Sequence, residues 1–109
     1  MAATYKVLGQ SAPTTTSEAT LYTVPSAKSA IVSTLTISNL TSSAANATVN
    51  VGVAGAASAN ANTLLKTVSV PANSVTALTL GLTLATTDVV RVTSGTANAL
   101  AFQLFGSEV

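Results

Sequence analysis

Apolar and polar residues alternate in short runs along the chain. Ile31, Leu35 and Ile37 share one parity, and Thr34, Thr36 and Ser38 take the other. Val49, Val51 and Val53 alternate with Asn50 and Gly52. Leu78, Leu80, Leu82 and Leu84 alternate with Thr79, Gly81 and Thr83, and Leu100, Phe102 and Leu104 alternate with Ala101 and Gln103. A period of two places each set on one face of a pleated strand. The residue types agree, because Val, Thr, Ile and Leu dominate and suit a half-buried sheet surface. The pattern predicts strands over Thr4–Leu8, Thr20–Val24, Ala30–Asn39, Ala47–Val53, Leu64–Val70, Ser74–Leu80, Asp88–Thr93 and Ala99–Phe105.

Turn signals separate these runs. Pro13 opens Thr14-Thr15-Thr16-Ser17, Pro25-Ser26 closes a strand, and Pro71-Ala72-Asn73 makes a bend in which proline presets φ. Thr41-Ser42-Ser43 and Gly55-Ala56-Ala57-Ser58 read as loops, and Ser94-Gly95-Thr96 as a tight turn. The Ala-, Ser- and Asn-rich stretch Ala54–Asn62 reads as either a mobile loop or one short helical turn. About eight short strands, spaced roughly 8–12 residues apart, predict a single all-β domain over residues 1–109. The expected architecture is an antiparallel β-sandwich, jelly-roll or Greek-key like. An up-and-down barrel is the structural alternative, and strand order is not readable from the pattern.

Charge changes the picture most. Only 6% of the 109 residues are charged, against about 25% in a typical soluble domain. Lys6, Lys28, Lys66 and Arg91 are scattered and nearly balanced by Glu18, Asp88 and Glu108, for a net charge of +1. Nucleic-acid binding calls for a concentrated basic surface, so no nucleic acid is expected as partner. A chain so poor in charge has little electrostatic repulsion to keep its copies apart. The apolar fraction is 48% and the mean hydropathy is +0.56. Much of the neutral surface is therefore expected to be buried against partners. Without cysteine there is no disulfide and no thiolate metal site. The opening Met1-Ala2-Ala3-Thr4 lacks the features of a secretory leader, and no apolar run is long enough for a membrane helix.

The search for reactive groups is short. There is no histidine, which removes the usual general base and the commonest metal ligand. Glu18, Asp88 and Glu108 each fall near a strand end and are expected to be solvated charges. Asp88 and Arg91 are three apart, so on one strand they face opposite ways. No phosphate-binding loop or nucleophile-elbow pattern occurs. Serine and threonine are plentiful, but a hydroxyl without an activating base is a poor nucleophile. An enzyme is not expected, nor are a cofactor, a metal or a small-molecule substrate. Four aromatics remain. Tyr22, within Leu21-Tyr22-Thr23-Val24-Pro25, reads as a sheet or interface packer with its hydroxyl at the rim. Phe102 and Phe105 have opposite parities, so one enters the core and the other is free to face a partner subunit. Tyr5, Tyr22 and Phe105 are the candidate residues of a subunit or partner interface.

Several segments in order resemble a family of small virion structural proteins of tailed phages, particularly those of cyanobacteria. The carrying residues are Tyr5-Lys6-Val7-Leu8-Gly9-Gln10-Ser11-Ala12-Pro13, Leu21-Tyr22-Thr23-Val24-Pro25 and Ser29-Ala30-Ile31-Val32-Ser33-Thr34. Val70-Pro71-Ala72-Asn73, the run from Leu78 to Val92, and Phe105-Gly106-Ser107-Glu108 continue it. Each piece alone is generic strand sequence, and the resemblance lies in their order. It departs most over Asn39–Asn62. What it implies is a non-enzymatic role in the virion, reached by assembly in the host cytoplasm. The expected function is capsid decoration, or cement. A homotrimer would bind the major capsid protein and clamp neighbouring capsomers. The alternative the resemblance also admits is a tail, baseplate or neck component. A third reading, of another class, is a glycan-binding head-fibre or lectin-like module, which would show exposed aromatics around a shallow pocket. Met1–Thr4 and Pro13–Ser17 are candidate arms that drape over a neighbour.

Overall fold

The alternating runs do form strands, and they form two sheets. The structure, a computed structural model, describes residues 3–109, with the side chain of Leu80 left out. The strands are β1 (Thr4–Ser11), β2 (Ala19–Thr23), β3 (Ala30–Asn39), β4 (Ala45–Gly52), β5 (Thr63–Val70), β6 (Val75–Leu84), β7 (Val89–Ser94) and β8 (Leu100–Glu108). One four-stranded sheet runs β1-β8-β3-β6 and the other β2-β7-β4-β5, with every pairing antiparallel. Thus β1 pairs with β8, β2 with β7, β3 with β6 and β4 with β5, as if one long hairpin had been rolled over on itself. That is the jelly-roll order of the β-sandwich. Two open sheets face each other, so the barrel alternative is set aside.

The core lies between the sheets. Val32, Leu35 and Ile37 of β3 and Phe102 and Leu104 of β8 meet Val49 of β4 and Val90 and Val92 of β7, all fully buried. Burying such side chains is worth about 1.5–3 kcal/mol each, and it fixes which parity of each strand faces in. Phe102 is the aromatic that enters the core, in step with Leu100 and Leu104.

A line of bulges crosses the first sheet. Leu8 of β1 is passed over where Val7 and Gly9 pair with Phe105 and Leu104. Ser33 of β3 is passed over where Val32 and Thr34 pair with Gly106 and Phe105. On β6, Leu80 and Gly81 lie between Thr79 and Leu82, the partners of Thr34 and Val32. Each extra residue swaps the parity of its strand. Ile31, expected on the face of Leu35 and Ile37, therefore points out of the sandwich and is 50% exposed, while Val32 turns in. Gly9 sits where the sheets meet: a β-carbon there would lie 2.1 Å from the Leu21 carbonyl oxygen of β2.

Of the two alternatives for Ala54–Asn62, a mobile loop or one short helical turn, the helical turn is found, as the 3-10 turn Asn60–Asn62. It belongs to a strap that starts with a kinked turn at Val53–Gly55, where Ala54 is left-handed (φ 53°). The Met1–Thr4 arm falls partly outside the described residues, and Thr4 itself is paired with Glu108 in β1. Pro13 is buried and its carbonyl accepts from the Asn98 amide at 3.1 Å, so the second candidate arm is tethered at its start.

Candidate functional site

The bulges bring three exposed apolar side chains, Tyr5, Val7 and Ile31, together at one end of the first sheet. Register places Tyr5, Ser107 and Ile31 in one cross-strand row, and Val7, Phe105 and Thr34 in the next. Tyr5 is 85% exposed and Val7 46%. Phe105 is half-buried, so its ring forms the floor between them. Tyr5, Ile31 and Phe105 line an open groove of about 490 Å³. Among the described residues Lys6 is the one charged residue lining it, and its Nζ donates to Glu108 Oε1 at 3.3 Å. The result is a rigid, apolar, electrically neutral surface built on a sheet rather than on loops.

Beneath this face lies a buried polar cluster. Glu108 follows the parity of Phe102 and Leu104, so β8 carries its carboxylate inward, where the residue is 6% exposed. The Tyr22 hydroxyl, from β2 of the opposite sheet, donates to Glu108 Oε2. That hydrogen bond, reinforced by Lys6 and more distantly by Lys28, outweighs desolvation and holds the Glu108 carboxyl below the usual carboxylate range. Burial, followed by the bond to the carboxylate and its charge, pushes the Tyr22 hydroxyl well above its ordinary value.

Two expectations are corrected here. Tyr22 is 8% exposed and its hydroxyl turns inward. It braces the two sheets and presents almost nothing to a partner, which leaves Tyr5 and Phe105 as the surface candidates. The carboxylates are not all solvated strand-end charges either. Glu108 is internal, and Asp88 is buried, accepting from the backbone amides of Ala54 and Ala85, both at 2.9 Å. Its carboxylate replaces water for two loop amides that would otherwise be orphaned. Glu18 alone stays exposed.

The outer face of the second sheet is polar, and the strap Val53–Asn62 folds onto it. Arg91 of β7 donates to the carbonyls of Gly55 and Ala56, and Ser58 donates to Glu18. Asn50 of β4 donates from its amide nitrogen to Asn62 Oδ1 and Thr63 Oγ1, each at 3.0 Å. Glu18 lies 3.8 Å from Arg91 Nε, which cancels the arginine's charge. The strap and the sheet enclose an open groove of about 320 Å³, lined by residues such as Thr48, Asn50, Thr63 and Lys66. No aromatic side chain lines it.

Among the described residues, no three potential metal-ligating side chains converge. The buried anchor Glu108 had a readable signal, since even numbers from Leu100 to Glu108 share one face. The strap's supports had none, because Glu18, Asn50, Asp88 and Arg91 come from separate strands and loops that only the folded order brings together. No protein-family model, curated protein or solved structure matches this chain.

Proposed function

We propose that this chain is a virion structural protein of the capsid-decoration kind, which works by docking its apolar face onto copies of itself and onto the major capsid protein. The observation that carries this reading is the neutral surface around Tyr5, Val7, Ile31 and Phe105. Contiguous exposed apolar surface on a small domain marks an interaction site. An unpaired charge buried in such a contact costs free energy, and among the described residues the only lining charge, Lys6, is already paired with Glu108. Each square ångström of apolar surface removed from water contributes about 25 cal/mol, so a flat face gains from area rather than from any single bond. A closed trimer would stop the association from running on. The jelly roll is a fold used by viral capsid domains and also by lectins, so it supports the reading without deciding it.

The test has two parts. Light scattering after size exclusion should give a defined oligomer, expected as a trimer, that persists on dilution to micromolar protein. Purified protein should bind capsids that lack it and raise the temperature at which they break. A monomer at micromolar concentration that ignores such capsids would defeat the proposal. Imaging of the source particle distinguishes a head position from the tail, baseplate or neck alternative, which would use the same face.

A further inference from the structure

We infer that the polar groove on the second sheet is a binding site for a sugar residue of a glycan chain, independent of the apolar assembly face. The inference starts from Asn50. This residue is 5% exposed, yet it sits on the outward side of β4, opposite to its neighbour Val49 in the core. Its amide nitrogen faces acceptors: Asn62 Oδ1 already takes the Ala59 amide hydrogen, and Thr63 Oγ1 gives its own hydrogen to the Ala59 carbonyl. That ring of acceptors fixes which end of the Asn50 amide is nitrogen. Its Oδ1 therefore points the other way, and among the described residues it accepts no hydrogen bond. No buried side-chain oxygen or nitrogen among them is left without a partner. Asn50 Oδ1 must then open to solvent, and the solvent that Asn50 borders is the groove.

Around this acceptor the groove offers complementary groups. Thr48 Oγ1 accepts the Thr67 amide at 3.0 Å, which leaves its hydroxyl hydrogen to give. Lys66 supplies an ammonium donor, and the Glu18 carboxylate supplies a further acceptor at the rim. Donors and acceptors together lining a groove of about 320 Å³ suit a ring bearing several hydroxyls, each able to donate once and accept twice. The strap is held by Arg91, Asn50, Asp88 and Glu18, so the groove is formed before any ligand arrives. With no aromatic platform for stacking, a single site binds weakly, and several copies on one assembly would gain by multivalency.

The test is a titration of the full chain with methyl glycosides of glucose, galactose and mannose, followed by amide chemical shifts. At least one should give saturable shifts centred on Thr48, Asn50, Thr63 and Thr93, and Lys66→Ala and Thr48→Val should each weaken it about fivefold. Tyr5→Ser should bind the sugar like the parent protein, whether or not the apolar face mediates assembly. The inference is overturned if no glycoside shifts these amides at tens of millimolar, if the shifts centre on Tyr5 and Phe105, or if both groove variants bind unchanged.

Discussion

Tyr22 of β2 donates a hydrogen bond to Glu108 of β8, joining the two sheets through residues 86 positions apart. The bond links the second strand to the last in a fold whose ends are brought together by β1·β8 pairing. Lys6 reaches the same carboxylate from the edge strand beside the apolar groove.

Replacing Tyr22 by Phe keeps the ring and removes the donor. The Glu108 carboxylate then stays buried with Lys6 as its remaining side-chain partner. Leaving a buried polar group short of a partner costs about 1–3 kcal/mol. The melting temperature should fall by roughly 4–8 °C for each kcal/mol lost. Calorimetry checks this, and an unchanged melting temperature would show that the bond adds nothing.

Stability should depend on pH at both extremes. The Glu108 carboxyl is held low, so its contribution is present above the ordinary value of about 4.3 and disappears as pH falls through the lower folded value. The Tyr22 hydroxyl is held high, so its contribution is complete below about pH 10 and is lost as pH rises towards the higher folded value. Glu108→Gln should flatten both limbs. Urea midpoints measured across pH for the two proteins decide it, and parallel profiles would count against the cluster as the titrating unit.

Two glycines of the first sheet should respond oppositely to alanine. A β-carbon on Gly106 would lie 2.0 Å from the Ile31 carbonyl oxygen, because the bulge draws β3 against β8. Gly106→Ala should cost about 1–3 kcal/mol or more. Gly81 has no atom within 4 Å of such a carbon. Gly81→Ala should be neutral, or stabilise by about 0.5–1 kcal/mol through the unfolded chain. Chemical denaturation of the pair reads both effects.

Tyr5→Ser and Ile31→Asn should each weaken self-association about tenfold or more if the apolar face is the contact, since hot-spot aromatic and apolar anchors carry over 1 kcal/mol. Both residues are exposed, so monomer stability should move by no more than about 0.5 kcal/mol. Sedimentation equilibrium beside thermal melting separates the two quantities. Unaltered association would move the contact elsewhere on the surface.

Most strands were legible because burial on one face forces a period of two. Predicted Ala30–Asn39 is β3 as found, and Leu64–Val70 falls within β5. Strand ends were less so: β8 runs on to Glu108 and β1 to Ser11, because pairing with a neighbour extends a strand beyond its apolar residues. The bulges were invisible, since Ser33 and Leu8 are ordinary strand residues and only the register passes them over. That is why Ile31 was assigned to the wrong face. At the candidate site, Tyr5 and Phe105 stood out as aromatics, and opposite parity put one of Phe102 and Phe105 outside the core without saying which. Tyr22 was not, because its partner lies across the sandwich.

The line of bulges also divides the first sheet into two frames of address. On the near side odd-numbered residues of β3 look outward, and beyond Ser33 they look inward. Deleting that one residue would close the bulge and join Val32 to Thr34 in plain alternation, so Leu35 and Ile37 would keep their inward face. A molecule arranged this way can trade side chains at Tyr5, Val7 or Ile31 and so change what it adheres to, while pairing with β8 on either side of the bulge keeps the same core residues facing in.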